Sequence, residues 1–221
     1  MDRPTPSGQS PRDPRRRTRR APRPDERRRD PERSRQLIID AARTEFAAKG
    51  FAGARVGNIA ERAGVNKQLI SYYFGGKERL YDEILRQWHE LEAHQRTSAT
   101  TLEELVVAYL RANHEQPELV RMLMWEGLGQ DAPPSDTTPD DTARSLTTEL
   151  VELQRRQSEG ELDADLDPAY VLIAMMGAVS AGATMPHVVH QLCGTSPDSE
   201  EFLSSYSEQL RRIVKRLAAP R

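Results

Sequence analysis

Between Val56 and Phe74 the chain reads VGNIAERAGVNKQLISYYF, with small or apolar residues at Val56, Ile59, Ala60, Ala63, Val65, Ile70 and Tyr73. These are the positions that two short helices crossing over a tight turn need filled. Ala60 sits where the two axes come closest, so a larger side chain there would push them apart. Gly64, at the break, can take the positive φ that ends the first helix within one residue. Val65 and Ile70 then plug the angle between the helices, leaving Asn66, Lys67, Gln68, Ser71 and Tyr72 on the outer face. That face offers donors, acceptors and an aromatic ring, which suits base edges and phosphates in a DNA major groove.

The charge distribution agrees with this. The net charge of -2 over 221 residues conceals 20 Lys or Arg against 10 Asp or Glu in residues 1–79, and 12 against 24 in residues 80–221. A head at +10 and a body at -12 predict nucleic acid at one end only. The single Cys193 excludes an intrachain disulfide framework, and no apolar run reaches the ~18 residues of a membrane span. The basic N-terminus lacks the apolar segment of a secretory signal, so the expectation is a soluble cytoplasmic protein with no membrane partner.

Residues 1–31 hold eleven Arg, five acidic residues and almost nothing apolar, which predicts a disordered tail. Such a tail could attract phosphate in a sequence-independent, salt-sensitive way. From Glu32 the pattern turns helical, with Leu37, Ile38, Ala41, Ala42, Phe46 and Ala47 at spacings of three and four, and Gly50 closes this first helix. Helices over 56–63 and 67–74 follow. After Gly75 and Gly76 a fourth helix of about 20 residues starts at Lys77 and carries Leu80, Ile84, Leu85, Trp88 and Leu91.

The rest also reads as helix. Thr101 with Glu104 forms a capping-box pattern, and Pro117 and Pro168 stand where a helix can start. Residues 131–141 read as a loop and residues 142–158 as a helix, while 160–167 form an acidic connection. The segment AYVLIAMMGAVSAGATM after Pro168 is apolar nearly all round, so most of its surface must be covered. A last helix, over about 199–217, carries a stripe of Phe202, Tyr206, Leu210, Ile213 and Leu217. With no strand-period segment, the expected fold is all-α with about nine helices.

Residues 35–85 resemble the TetR/AcrR, or tetracycline-repressor-type, family of bacterial transcriptional regulators. The first helix ending in EFAAKGF, then VGNIAERAGVNKQLISYYF and GGKERLYDEIL, have the order and spacing of that family's DNA-binding domain. The resemblance implies a helix-turn-helix DNA-binding domain over 32–79 and a ligand-binding and dimerisation domain over 80–221. It implies that Lys67, Gln68, Leu69 and Ser71 face bases, that Tyr72 and Tyr73 pack beside or bond the DNA backbone, and that Lys77 meets a phosphate. Asn66 becomes the N-cap of the third helix and Phe74 a packing residue. Gln68 is the leading base reader, since an amide pairs bidentately with adenine for about 1–3 kcal/mol of discrimination. The chain departs from the family in two places, just before the second helix and inside it. Ala54 and Arg55 stand where Thr or Ser is common, so Arg55 would replace a hydroxyl contact with a longer charged reach, and Gly57 stands where a basic residue is common.

In the body, Trp88, Tyr109, Met122, Met124, Trp125, Met175 and Met176 could line a cavity for a small apolar or amphipathic effector, because Met and aromatic rings mould to varied ligands. Each taken singly also has ordinary core spacing. Polar residues that could orient a ligand are His89, Asn113, His114 and Glu126. The resemblance implies a homodimer joined through the helix from Pro168 and the last helix, with Gly177, Ala181, Phe202, Tyr206, Leu210 and Ile213 as contacts. His187, His190 and Cys193 invite a metal or thiol-sensor reading, but no fourth ligand accompanies them and no metal or cofactor is expected. Neither a glycine-rich phosphate loop nor a nucleophile elbow is present, so no enzyme is expected. The reading is a repressor that binds a double-stranded palindromic operator and is released by its effector. The competing one is an architectural DNA binder driven by the Arg-rich tail, against which Lys67, Gln68 and Ser71 speak.

Overall fold

The computed structural model describes residues 24–128 and 138–218, with side chains over 31–128 and 143–218. Among the described residues there are ten α-helices and no strand. α1 (Pro24–Gly53), α2 (Val56–Ala63), α3 (Lys67–Phe74) and α4 (Lys77–Ser98) come first. α5 (Leu102–Glu115), α6 (Pro117–Gly127) and α7 (Thr138–Ser158) follow, then α8 (Pro168–Thr184), α9 (Pro186–Cys193) and α10 (Glu200–Lys215).

The helix starts have local causes. The Thr101 hydroxyl accepts from the Glu104 amide while the Glu104 carboxylate returns to Thr101, closing the capping box of α5. Asp167 and Ser199 cap α8 and α10 with one bond each, accepting from the amides of Ala169 and Phe202. Pro117, Pro168 and Pro186 stand in the first turn of their helices, where a missing N–H leaves no bond unmade.

Three boundaries differ from those the sequence suggests. The tenth helix is α9: Met185 leaves helical geometry and Pro186 restarts the chain, so α9 is bent 87° from α8. α1 begins at Pro24, ahead of the apolar spacing, because Arg, Glu and Gln favour helix even without a face to bury. Residues 24–31 are therefore helical and not part of a disordered tail, whose residues 1–23 lie outside the described residues. α7 begins at Thr138, inside the expected loop, of which residues 131–137 also lie outside the described residues.

Two hydrophobic clusters organise the molecule. The first joins Ile38 and Phe46 of α1, Ile59, Ile70, and Leu80 and Trp88 of α4 to Leu119 and Met122 of α6. The second gathers Leu105 and Leu110 of α5, Leu153 of α7, Val171 and Val179 of α8, and Leu210 and Val214 of α10. Residues on both sides of position 80 thus share the first core. Polar contacts reinforce that joint: Arg35 reaches Glu83 at 2.5 Å, Arg43 donates to Gln87 at 3.1 Å, and the Trp125 indole donates to the Ala47 carbonyl at 3.1 Å. No single helix among the described residues is long and apolar enough to cross a membrane.

Candidate functional site

The turn between α2 and α3 is built as its glycine requires. Gly64 has φ +66°, Val65 donates to the Ala60 carbonyl at 3.0 Å and Gly64 to that of Glu61 at 3.1 Å, a Schellman closure. Asn66 then caps α3, its carbonyl oxygen accepting from the Gln68 amide at 2.9 Å. Ile59, Ala60, Ala63, Ile70 and Phe74 are buried in the angle between the helices. That leaves Lys67, Gln68, Ser71 and Tyr72 exposed on one side of α3, with Tyr72 at 79%. The Tyr72 ring meets Tyr73 edge-on at 5.1 Å, and Tyr73 is half-buried against the first cluster.

Two of the nine predicted DNA contacts sit differently. Leu69 is half-buried against the first cluster, because it lies on the flank of α3 beside Ile70. Lys77 is half-buried too: its ammonium donates to the Ala54 carbonyl at 2.9 Å and lies 4.3 Å from the centre of the Phe51 ring. Its charge therefore ties the start of α4 to the junction of α1 and α2. Arg55 is exposed at the N-cap of α2, and at Gly57 a Cβ would meet nothing within 4 Å.

Sequence reasoning missed Glu45. It is 2% exposed and accepts from Lys49 and Asn58, each at 2.8 Å, and from the Arg55 amide at 3.4 Å. Burial pushes its carboxyl pKa up, but these hydrogen bonds outweigh that and leave it below the usual value. Since Arg55 provides no side-chain cap, Glu45 of α1 supplies the acceptor that the start of α2 lacks. The signal was a lone acid within the stripe of Ala41, Ala42 and Phe46.

Among the described residues, the seven effector candidates do not line a common cavity. Trp88 and Met122 are buried in the first cluster, Trp125 is bonded to α1, and Met124 and Met176 are exposed. Met175 is half-buried against the second cluster, and the Tyr109 hydroxyl donates to Glu149 at 2.7 Å. Two surface concavities form elsewhere, one lined by Asp40, Arg43, Glu115 and Leu119, the other by Glu45, Lys49, Asn58 and Arg62. Of the polar candidates, Asn113 is buried and donates to the Val179 carbonyl at 3.1 Å. His89 and Glu126 each keep a sealed atom without a hydrogen bond.

Of the predicted dimer contacts, Phe202 and Leu210 are corrected, since both are buried inside the chain. Phe202 lies against Gly182 of α8, and Leu210 is in the second cluster with α5 and α7. Tyr206 is half-buried and donates to the Ala178 carbonyl at 3.0 Å, and Ala181 is half-buried. Gly177 and Ile213 remain exposed. Beside Gly177, α8 also exposes Tyr170 and Ile173, at 73% and 66%. His187, His190 and Cys193 are exposed on α9.

Comparison with known proteins agrees with this geometry. Residues 38–84 match the model of the bacterial regulatory proteins of the tetR family, and residues 101–216 match a tetracyclin repressor-like C-terminal domain. The HTH-type transcriptional repressor SCO4008 of Streptomyces coelicolor is 31% identical over 192 residues, covering 85% of this chain and 98% of its own. The HTH-type transcriptional regulator RutR of Escherichia coli is 27% identical over 193 residues, covering 84% of this chain and 91% of its own. Among solved structures, the ketosteroid transcriptional regulator KstR2 of Mycobacterium tuberculosis shares the fold. Its TM-score is 0.65 at 19% identity, over 85% of this chain and 95% of its own. With both domain models and a full-length relative in agreement, the chain belongs to the TetR family of bacterial transcriptional regulators.

Proposed function

We propose that this regulator is a repressor that holds a twofold-symmetric operator as a homodimer and releases it when a small apolar or amphipathic molecule binds in the body. The head over 32–79 carries the DNA face and residues 80–221 carry the dimer and effector functions. The observation that carries the reading is the asymmetry of α3. Its inner face, Ile70 and Phe74, is buried, while Lys67, Gln68, Ser71 and Tyr72 stand exposed on a helix whose start is fixed by Gly64 and Asn66. A rigid helix presenting an amide, an ammonium and two hydroxyls is what base reading in a major groove asks for.

Dimerisation is supported by α8, which is apolar all round yet leaves Tyr170, Ile173 and Gly177 exposed at helical spacing. A second copy covering that stripe would set two heads about 34–36 Å apart, one helical turn of DNA. Release follows from the shared first core. α4 and α6 contribute Trp88, Leu119 and Met122 to the packing that positions α1, so a ligand that moves either helix moves the head. It lowers DNA affinity only to the extent that it binds the two arrangements differently.

Footprinting on the chain's own promoter region, followed by competition with operator variants, tests the roles. Gln68→Ala should relax preference at one base position of each half-site by about tenfold or more. Arg55→Ala, at the exposed N-cap of α2, should weaken every variant alike and flatten the salt dependence. Equal losses for both substitutions on all operator variants would overturn the assignment.

A further inference from the structure

α6 bonds two other helices through side chains one turn apart. Arg121 and Trp125, at i and i+4, are neighbours on the surface of this helix. Arg121 Nε donates to the Ala183 carbonyl of α8 at 3.3 Å, and the Trp125 indole donates to the Ala47 carbonyl of α1 at 3.1 Å. Leu119 and Met122, meanwhile, bury another side of α6 in the first cluster.

Both acceptors lie where a helix ends. Ala183 is the last residue but one of α8, and Ala47 comes three residues before Gly50, whose φ of +67° and ψ of 177° break α1. The carbonyls of a last turn are short of intrahelical donors, so a side-chain N–H there holds the end of the helix in one direction. Arg121 also brings a positive charge to the negative end of the α8 dipole. The Trp125 indole has one donor and no acceptor, so its bond fixes the ring on a single atom of α1.

The two bonded helices have different tasks. α8 exposes Tyr170, Ile173 and Gly177 and is bonded inward on its other side. There Asn113 of α5 donates to the Val179 carbonyl at 3.1 Å, one turn before the Ala183 carbonyl that takes Arg121. α1 leads through Gly50 to Ala54, whose carbonyl takes Lys77, and on to α2 and α3. Its earlier turns are bonded to a different helix, since Arg35 and Arg43 meet Glu83 and Gln87 of α4. The last turn before the break is thus held from α6, and the turns before it from α4.

We propose that Arg121 and Trp125 are positioning residues that make α6 the strut between the dimer contact and the DNA head. They fix the angle at which each head leaves the body, and hence the half-site spacing that the dimer accepts. The assignment rests on the reading of α8 as the dimer contact and names the two side chains that carry that contact to the operator. With both bonds made, the free dimer already holds its heads in the arrangement the operator needs. With either bond gone, each head takes up other angles, and the apparent affinity falls with the fraction of dimer in the competent arrangement. One head on one half-site needs no fixed angle, so its affinity does not depend on the strut. That difference separates positioning from a part in the head's own fold.

The test compares wild type, Trp125→Phe and Arg121→Met, as full chains, on three duplexes: the footprinted operator, the same operator with two base pairs inserted between its half-sites, and an isolated half-site. Phe keeps an aromatic ring and removes the N–H, and Met keeps the apolar stem of Arg121. Each substitution should weaken operator binding by about tenfold, two bonds being lost per dimer, and leave half-site binding within about twofold of wild type. The preference for the native spacing over the lengthened one should shrink by a similar factor. The double variant should lose little more than either single one, because the two bonds act in series. Equal loss on operator and half-site would overturn the proposal, since a damaged head gives that result. So would an operator affinity that does not change, or losses that add fully in the double variant. Either single variant decides the question by itself, so loss of fold in one does not stop the test. Sedimentation tells the two readings apart: a monomeric wild type removes the dimer contact and the strut with it, whereas dimeric variants with an unchanged spacing preference remove the strut alone.

Discussion

Glu83 shows how one residue couples head and body. Its carboxylate accepts from Arg86 at 2.8 Å and from Gln87 at 2.9 Å on its own helix, and from Arg35 of α1 at 2.5 Å. The Arg86 hydrogen bond is the largest influence on its pKa. Burial opposes it, Arg35 and Gln87 add to it, and the carboxyl is held down to about 2. The folded pKa lies below the ordinary 4.5, so folding favours the ionised form. That contribution is complete above pH 4.5 and is lost as pH falls through about 2. Glu126 and Glu149 run the other way, because burial raises their pKa values and the folded state gains from protonating them. The measurement must therefore be a difference. Glu83→Gln should lower the urea midpoint at neutral pH, and the gap to wild type should narrow as pH drops below 4.5. A gap that stays constant as the solution is acidified would show that Glu83 contributes nothing through its charge.

At the scale of the element, the turn of α2 and α3 separates two kinds of glycine. A Cβ at Gly64 would meet nothing within 4 Å, so replacing it costs only the strain of φ +66°. Gly57 has equally open surroundings but lies inside α2, away from any positive φ. Urea unfolding should thus show Gly64→Ala destabilised by about 1 kcal/mol. Gly57→Ala should be stabilised by about 0.5–1 kcal/mol. Shifts of the same sign would disprove the distinction. This turn was legible in the sequence because its constraints are local: a glycine at the break, an Asn at the cap, small residues at the crossing. The helix count failed at α9, because the apolar run was read only as far as Met185 and the eight residues that restart at Pro186 were given no helix of their own. Partners far apart in sequence were not legible at all. Arg156 is buried at the end of α7, paired with Glu152 and Glu161 and donating to the Ala99 carbonyl 57 residues away. The stripe of Phe202 and Leu210 was read correctly as apolar, but a stripe does not say what covers it. Here α5, α7 and α8 of the same chain do so.

The whole molecule explains why the remaining exposed stripe matters. A monomeric head presents one short helix to DNA, and an eight-residue contact surface with few base-reading side chains cannot alone supply operator affinity against the excess of other sequence. Joining two heads makes the second contact intramolecular, which raises affinity by about 10²–10⁴ without any new base contact. The joint must be stiff, since only a fixed spacing selects one arrangement of half-sites. The α8 face suits that demand, because Gly177 lets a second backbone approach closely while Tyr170 and Ile173 flank it with apolar area. Ile173→Glu places a charge on that face at a position already 66% exposed, so it should leave the helix content and the fold of the chain unchanged. In sedimentation it should shift the protein to monomer, and operator affinity should drop by about 10²-fold or more while weak non-specific binding persists. A wild-type chain that sediments as a stable monomer at micromolar concentration would refute dimeric binding altogether. A variant that stays dimeric would move the interface away from α8, and with it the geometry that sets the spacing of the two recognition helices.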